Sequence, residues 1–148
     1  KELTRRPPRR PIEKFGPRKV EQGKDITVVT YGRGVYECQK AFELVRKKIP
    51  DFSADLFDLR LIKPLTMTEI IESVKRTEHF LYVQEEPVGF GTGAELVRRV
   101  TKEAFLHLEA PPESLGPPDT FPPPSKFWDD YLPQPPEIAE KIIEIINF

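Results

Sequence analysis

Apolar residues along this chain fall in short blocks that switch between strand and helix spacing. Ile26-Thr27-Val28-Val29-Thr30-Tyr31 is β-branched and apolar on both faces, as a strand buried in a parallel sheet is. Val35, Cys38, Ala41, Phe42 and Val45 then recur at helical spacing, predicting a helix that opens at Gly32 and Gly34 and runs to about Lys48. Its last turn carries Arg46, Lys47 and Lys48, which complement the helix dipole. Ala54–Leu59 reads as the next strand, Pro64 breaks the chain, and Thr66 or Thr68 is expected to cap a helix with Ile70, Ile71 and Val74 as its core stripe. His79–Gln84 is a third apolar strand. After the turn Gly89–Gly93, a helix to about Leu108 is expected to bury Leu96, Val97, Val100, Ala104 and Phe105. Two apolar strands joined by a helix form a right-handed βαβ unit, hence a parallel sheet. Short strands are expected at Arg18–Gln22, on the edge, and near Glu113–Leu115. The chain closes with an amphipathic helix from Pro136 that turns Ile138, Ile142, Ile145 and Ile146 inward.

Composition changes this picture at both ends. The length of 148 residues suits one domain, and 23 basic against 24 acidic side chains nearly cancel. They are unevenly placed: residues 1–24 hold nine basic and three acidic groups. The run Lys1-Glu2-Leu3-Thr4-Arg5-Arg6-Pro7-Pro8-Arg9-Arg10-Pro11 has no aromatic to stack on a base, so a proline-stiffened, extended linker is expected rather than a nucleic-acid-binding arm. Residues 111–136 contain ten of the seventeen prolines yet also Phe121, Phe127, Trp128 and Tyr131. This segment is expected to be non-helical, an ordered strap packed on a surface. No run approaches the ~18 apolar residues of a membrane span, and no signal-peptide pattern is read. With Lys1 in place of Met, the chain is expected to be a fragment or a processed product. The single cysteine, Cys38, permits no internal disulfide, which fits a reducing compartment.

Candidate chemistry is sparse. Cys38 sits on an apolar helix face and reads as a structural thiol. His79 and His107 are far apart and belong to no metal-ligand spacing. The paired acids Glu85 and Glu86 lie just past a central strand, where ligands often bind. They fit acid/base work, or an ion pair between one of them and Arg60 at the neighbouring strand end. The turn containing Gly91 and Gly93 leads into a helix whose free amides suit an anion, though without the full phosphate-loop spacing; tight turning and close packing are the other reading. Glu137, Glu140 and Glu144 share a helix face beside the terminal Phe148, a surface for a cationic partner or simply a solvated face.

Several stretches in order resemble a known family. Gly23-Lys24-Asp25-Ile26-Thr27-Val28-Val29-Thr30-Tyr31-Gly32 looks like the start of the C-terminal domain of the transketolase superfamily. The similarity is greatest to the beta subunit of thiamine-diphosphate-dependent 2-oxo acid dehydrogenases. It continues through Asp58-Leu59-Arg60 with Ile62 and Pro64, Ser73-Val74-Lys75-Arg76-Thr77, Glu86-Pro87 with Gly91, Gly93-Ala94-Glu95, and Glu103-Ala104-Phe105 to Leu108-Glu109-Ala110-Pro111. Asp119-Thr120 before prolines, Tyr131-Leu132-Pro133 and Asn147-Phe148 complete the series. Glu113 and Ser114 depart from it, standing where basic residues are common, and the strap Phe121–Ser125 is unusually proline-rich.

The resemblance implies an α/β fold: a three-layer α/β/α domain over residues 18–148 with a mixed, mostly parallel five-stranded sheet, preceded by a linker over residues 1–17 from an upstream pyrimidine-binding domain. It implies a separate beta subunit, or a fused chain, of an enzyme that oxidatively decarboxylates a 2-oxo acid and acylates lipoamide, in the cytoplasm or mitochondrial matrix. Thiamine diphosphate and magnesium are then held mainly outside this fragment, by the alpha subunit or upstream domains, and the fragment alone is catalytically silent. Its implied work is beta–beta association and docking of the lipoyl acyltransferase's subunit-binding domain. Phe148, Glu144, Glu140 and Asp119 are the docking candidates, and Arg60, Glu85, Glu86, Gly91 and Gly93 the strand-end loop candidates. Two other readings stay open: another thiamine-diphosphate enzyme such as transketolase or deoxyxylulose-phosphate synthase, which needs a sugar-phosphate site, and a non-enzymatic module that binds through the basic arm.

Overall fold

The computed structural model describes residues 16–148; the expectation of an extended linker falls almost wholly on residues outside that range. Five strands form one sheet: β1 (Arg18–Glu21), β2 (Ile26–Thr30), β3 (Ala54–Asp58), β4 (Phe80–Val83) and β5 (Glu113–Leu115). Their order is β1-β3-β2-β4-β5, with β1 antiparallel to β3 and every other pair parallel. Val29 pairs with Phe57, and Val28 with Leu81, so the three apolar strands adjoin as the expected parallel core. β2 is buried at every position because helices cover both of its faces.

One face carries α1 (Gly34–Lys48) and α5 (Pro135–Ile146); the other carries α2 (Thr68–Thr77) and α3 (Thr92–Ala104). Phe42, Val45, Ile138, Ile142 and Ile145 join Val28 and Leu81 in the first core. Ile70, Val74, Leu96 and Val100 join Val29, Phe57 and Tyr82 in the second. Cys38 lies fully buried in the first, and burial pushes its thiol pKa up, as a structural thiol requires.

Four local expectations are corrected. Met67 occupies the cap position of α2 with no side-chain cap, because burying Met67 in the core places Thr68 already inside the first turn. Phe105 is exposed rather than buried: the chain tightens into a 3₁₀ turn at Phe105–His107, and the wider angular step of that turn swings Phe105 and Leu106 outward. The strap is not wholly extended, since proline-free residues permit a 3₁₀ turn at Ser125–Phe127 and a short helix, α4 (Trp128–Tyr131). Nor does it pack all its aromatics: Phe121, Phe127 and Trp128 remain exposed.

At the amino ends of the strands a buried polar cluster pins the sheet. Asp55, fully buried in β3, accepts hydrogen bonds from Lys19 Nζ at 2.8 Å, the Gly23 amide at 2.9 Å, Ser73 Oγ and Arg76 Nη2. Thr27 Oγ1 lies 2.7 Å from both Ser73 Oγ and Thr77 Oγ1. Burial alone would raise the Asp55 pKa, but the hydrogen bonds from Lys19, Ser73 and Gly23 outweigh it and hold the carboxyl below its ordinary value.

Candidate functional site

The carboxyl ends of β2 and β4 bring together four of the residues that the sequence singled out and one it did not. Gln84, almost fully buried just beyond β4, is the hub. Its Oε1 accepts from the Gly93 amide at 2.9 Å, and its Nε2 donates to the carbonyls of Glu86 at 3.1 Å and Pro87 at 2.8 Å. The glycines make room for it. A Cβ on Gly93 would lie 2.2 Å from Gln84 Oε1, and one on Gly91 2.5 Å from Gln84 Nε2. The reading of these glycines as close-packing residues is therefore the one realised. The signal for Gln84 in the sequence is a lone amide closing an apolar strand, which spacing alone does not mark as a hub.

Glu86 sits beside this hub. One carboxylate oxygen accepts from the Thr92 amide at 2.9 Å and from the Thr92 hydroxyl; the other accepts from the Tyr31 hydroxyl. Burial pushes the Glu86 pKa up, and the bonds from Thr92 and Tyr31 more than offset it, so the carboxyl titrates below its ordinary range. For Tyr31, burial comes first and the bond to Glu86 second, and both push the phenol upward. The Tyr82 hydroxyl is buried nearby without a hydrogen-bond partner among the described residues; burial, then the Glu86 charge, raise its pKa too. Glu85 turns the other way, accepting from the Arg33 amide at 3.1 Å. Arg33 in turn bonds Glu37 at 3.1 Å and Asp129 at 2.9 Å, tying the strap to the start of α1.

The expected pairing of Arg60 with one of these acids does not form. β2 lies between β3 and β4, so the two strand ends are not neighbours. Arg60, at φ 54°, instead donates to the Gly16 carbonyl at 2.6 and 3.0 Å, where the chain enters antiparallel β1. The docking candidates are also divided. α5 ends at the amino side of the sheet, where Ile146 and Asn147 line a cleft of about 370 Å³ with Asp25 and His79. Glu140, Glu144 and an exposed Phe148 belong to that helix and its end, with Lys141 paired to Glu144 at 2.7 Å. Asp119 lies at the opposite edge, against Gly89.

At this edge the glutamate, the glutamine amide and the first helix amides satisfy one another, while the Tyr82 hydroxyl and Thr30 Oγ1 stay without a partner among the described residues. The first amides of α3, at Thr92 and Gly93, are already held by Glu86 and Gln84, so the chain's own side chains occupy the place an anion would take under the alternative reading of this turn. A carboxylate in that position also repels phosphate, so these residues do not fit a diphosphate or a sugar phosphate. No cluster of metal-ligand side chains occurs among the described residues.

The transketolase C-terminal domain model matches residues 17–138. The chain belongs to that family. Within it, the chain is 39% identical over 123 residues to the pyruvate dehydrogenase E1 component subunit beta of Acholeplasma laidlawii, covering 83% of this chain and 37% of the relative. It is 37% identical over 128 residues to the mitochondrial subunit of the same name from Saccharomyces cerevisiae, covering 85% and 35%. The Staphylococcus aureus subunit is 34% identical, with 86% and 39% covered. The chain thus spans between 35% and 39% of the length of these curated relatives. A solved split-gene transketolase, described as an inactive beta4 tetramer, superposes with a TM-score of 0.73 over 88% of this chain and 42% of that one, at 19% identity. That likeness is one of fold, and it agrees with the three-layer, mostly parallel transketolase C-terminal-domain architecture. No helix among the described residues is long and apolar enough to cross a membrane.

Proposed function

We propose that residues 18–148 form the C-terminal domain of the beta subunit, or of a fused chain, of a 2-oxo acid dehydrogenase, and that residues 1–17 link it to an upstream domain. The complete enzyme oxidatively decarboxylates a 2-oxo acid, pyruvate or a branched-chain one, and acylates lipoamide. It works as a soluble enzyme in the cytoplasm or mitochondrial matrix. Thiamine diphosphate supplies the carbanion chemistry of that reaction and is held, with magnesium, mainly by the alpha subunit or upstream domains. The domain's own work is association: with a second beta subunit, with the alpha subunit, and with the acyltransferase's subunit-binding domain.

One observation carries this reading: identity of 34–39% to pyruvate dehydrogenase beta subunits across more than four fifths of the chain. The internal saturation of Glu86, Gln84 and the α3 amides supports an edge that braces loops for a neighbour. It disfavours the sugar-phosphate enzymes as the alternative. Glu140, Glu144 and Phe148 make an exposed anionic surface with an apolar ring, suited to a basic docking domain.

The test is a calorimetric titration of the chain with thiamine diphosphate and magnesium, paired with an assay for carbon dioxide released from pyruvate. Neither heat of binding nor turnover is expected from the chain alone, while mixing the whole beta subunit with its alpha subunit restores both. Decarboxylation by the chain on its own would overturn the assignment of roles.

A further inference from the structure

Five exposed large apolar side chains gather at the carboxyl edge of the sheet, away from the α5 terminus. Phe90 is fully exposed in the turn before α3, Phe121 is 98% exposed on the strap, and Val88, Phe127 and Trp128 are exposed on the same turn and strap. The Val88 amide donates to the Pro117 carbonyl at 3.1 Å, and Asp119 lies against Gly89, so turn and strap form one surface. Contiguous exposed apolar groups of this kind mark a protein contact.

A groove of about 260 Å³ opens in this surface beyond the end of β4, walled by Pro87, Pro122, Trp128, Tyr131 and Leu132. Its polar atoms are already matched. Trp128 Nε1 donates to the Pro123 carbonyl at 3.1 Å, and the Tyr131 hydroxyl to the Thr120 carbonyl at 3.2 Å. The carboxylates at its rim are matched too, Glu85 by the Arg33 amide and Glu86 by Thr92 and Tyr31. An uncharged ring entering the groove therefore strands no donor, and it meets the faces of Trp128 and Tyr131. A cavity of about 150 Å³ admits benzene, so the space accepts a phenyl ring.

The chain presents such a ring at the groove's own rim. Phe121 adjoins the wall residue Pro122, yet it cannot fold back over that wall. A residue before proline is held extended, and Pro122-Pro123-Pro124 fix the backbone that follows. Phe127, the neighbouring candidate, is already capped by Lys126, whose Nζ lies 4.7 Å from the ring centre. A knob beside a hole is what a two-fold axis requires: rotation about an axis at the rim seats each knob in the other copy's hole.

We propose that two copies of this chain associate isologously at the carboxyl edge, each Phe121 seated in the groove of Trp128 and Tyr131 of the other. This names a face for the association with a second copy put forward above, and it rests on that part of the proposed function alone. A buried phenylalanine covers about 150–250 Å², so two rings with matching groove area come to less than ~1,200 Å², the size of a transient contact. The pairing is accordingly weak and reversible.

Sedimentation equilibrium of the 148-residue chain from about 5 to about 500 µM follows its mass. Acrylamide quenching of Trp128, the only tryptophan, follows the groove. The mass is expected to rise from one copy toward two and stop there, with quenching falling in step. Phe121→Ser, with folding checked by circular dichroism, should weaken association at least about tenfold, because the ring is lost twice across the axis, and should remove the concentration-dependent protection of Trp128. Phe148→Ser, at the opposite edge, should change neither. If Phe121→Ser associates as tightly as the parent, the strap contact is overturned while association through another face stands. A parent that stays at one copy throughout overturns both. Association without protection of Trp128 overturns the seating of Phe121 in the groove, and growth past two copies overturns the isologous pairing.

Discussion

Gln84 and Gly93 make the tightest residue-level constraint at the candidate site, and they give a sharp contrast. A methyl on Gly93 meets Gln84 Oε1 at 2.2 Å, Ser114 Cβ at 2.9 Å and Tyr82 Cδ1 at 3.0 Å, none of which can retreat from the packed sheet edge. Gly93→Ala should therefore cost about 2–3 kcal/mol in denaturant unfolding. A methyl on Gly89 meets only the exposed Asp119 carboxylate, which can swing aside, so Gly89→Ala should stay within about 1 kcal/mol of the parent. If the two variants unfold at the same midpoint, the glycines are not packing residues. The carboxylates add a pH signature. Asp55 and Glu86 both titrate lower when folded than when unfolded, so the unfolded chain takes up their protons first as pH falls. Their stabilisation is complete above the ordinary carboxylate value of about 4 and is lost below it as pH drops through the folded values. Asp55→Asn should flatten that acid limb of the stability curve and, by losing the charge-assisted bonds from Lys19 and Arg76, whose partly exposed heads can turn to water, cost about 1–2 kcal/mol at neutral pH. An unchanged slope below pH ~4 in both Asp55→Asn and Glu86→Gln would contradict this. The sequence placed Glu86, Gly91 and Gly93 at this edge. It did not show that they answer one another, because hydrogen bonds between a strand end and the next helix depend on packing depth, which spacing does not encode.

The elements themselves were legible wherever an apolar period persisted. β2, β3 and β4 announce themselves as short apolar blocks, and α1, α2, α3 and α5 as stripes at helical spacing; the three strands, α1 and the start of α5 formed within a residue or two of the expected positions, whereas α3 ends at Ala104, about four residues before the expected Leu108. What failed lay at ends and between strands. Phe105 continues the stripe of α3 in sequence, yet the helix tightens there and turns it to solvent. Arg60 follows a strand that neighbours β4 in the chain but not in the sheet, where β2 intervenes. Strand order is a property of the crossovers and cannot be read from any one strand. Packing of α5 on α1 makes a testable statement at this scale. Ile142 is fully buried in the shared core, and Ile146 only partly, so Ile142→Ala should cost about 3 kcal/mol and Ile146→Ala about 1 in thermal or denaturant melts. Equal costs would mean that α5 sits rotated about its axis from the position described.

On the scale of the whole molecule, the sheet separates two faces of different character. Its carboxyl edge is braced internally and leaves an aromatic, acidic groove; its amino edge ends in the α5 terminus with exposed Glu140, Glu144 and Phe148. Family membership rests on the match over residues 17–138, and the three-layer sheet agrees with it. The division of Asp119 from Phe148 has a consequence for docking: a single small domain bound at the α5 terminus does not touch Asp119, so Asp119→Asn should leave that binding unchanged. The most direct measurement is a binding titration of this chain with the isolated subunit-binding domain of a lipoyl acyltransferase, run for the parent, for Glu140→Lys with Glu144→Lys, and for a chain lacking Phe148. The account predicts saturable, salt-sensitive binding by the parent. Each altered chain should bind at least about tenfold more weakly, the loss of roughly one charge-assisted contact. No binding by the parent, or equal binding by all three chains, would contradict it.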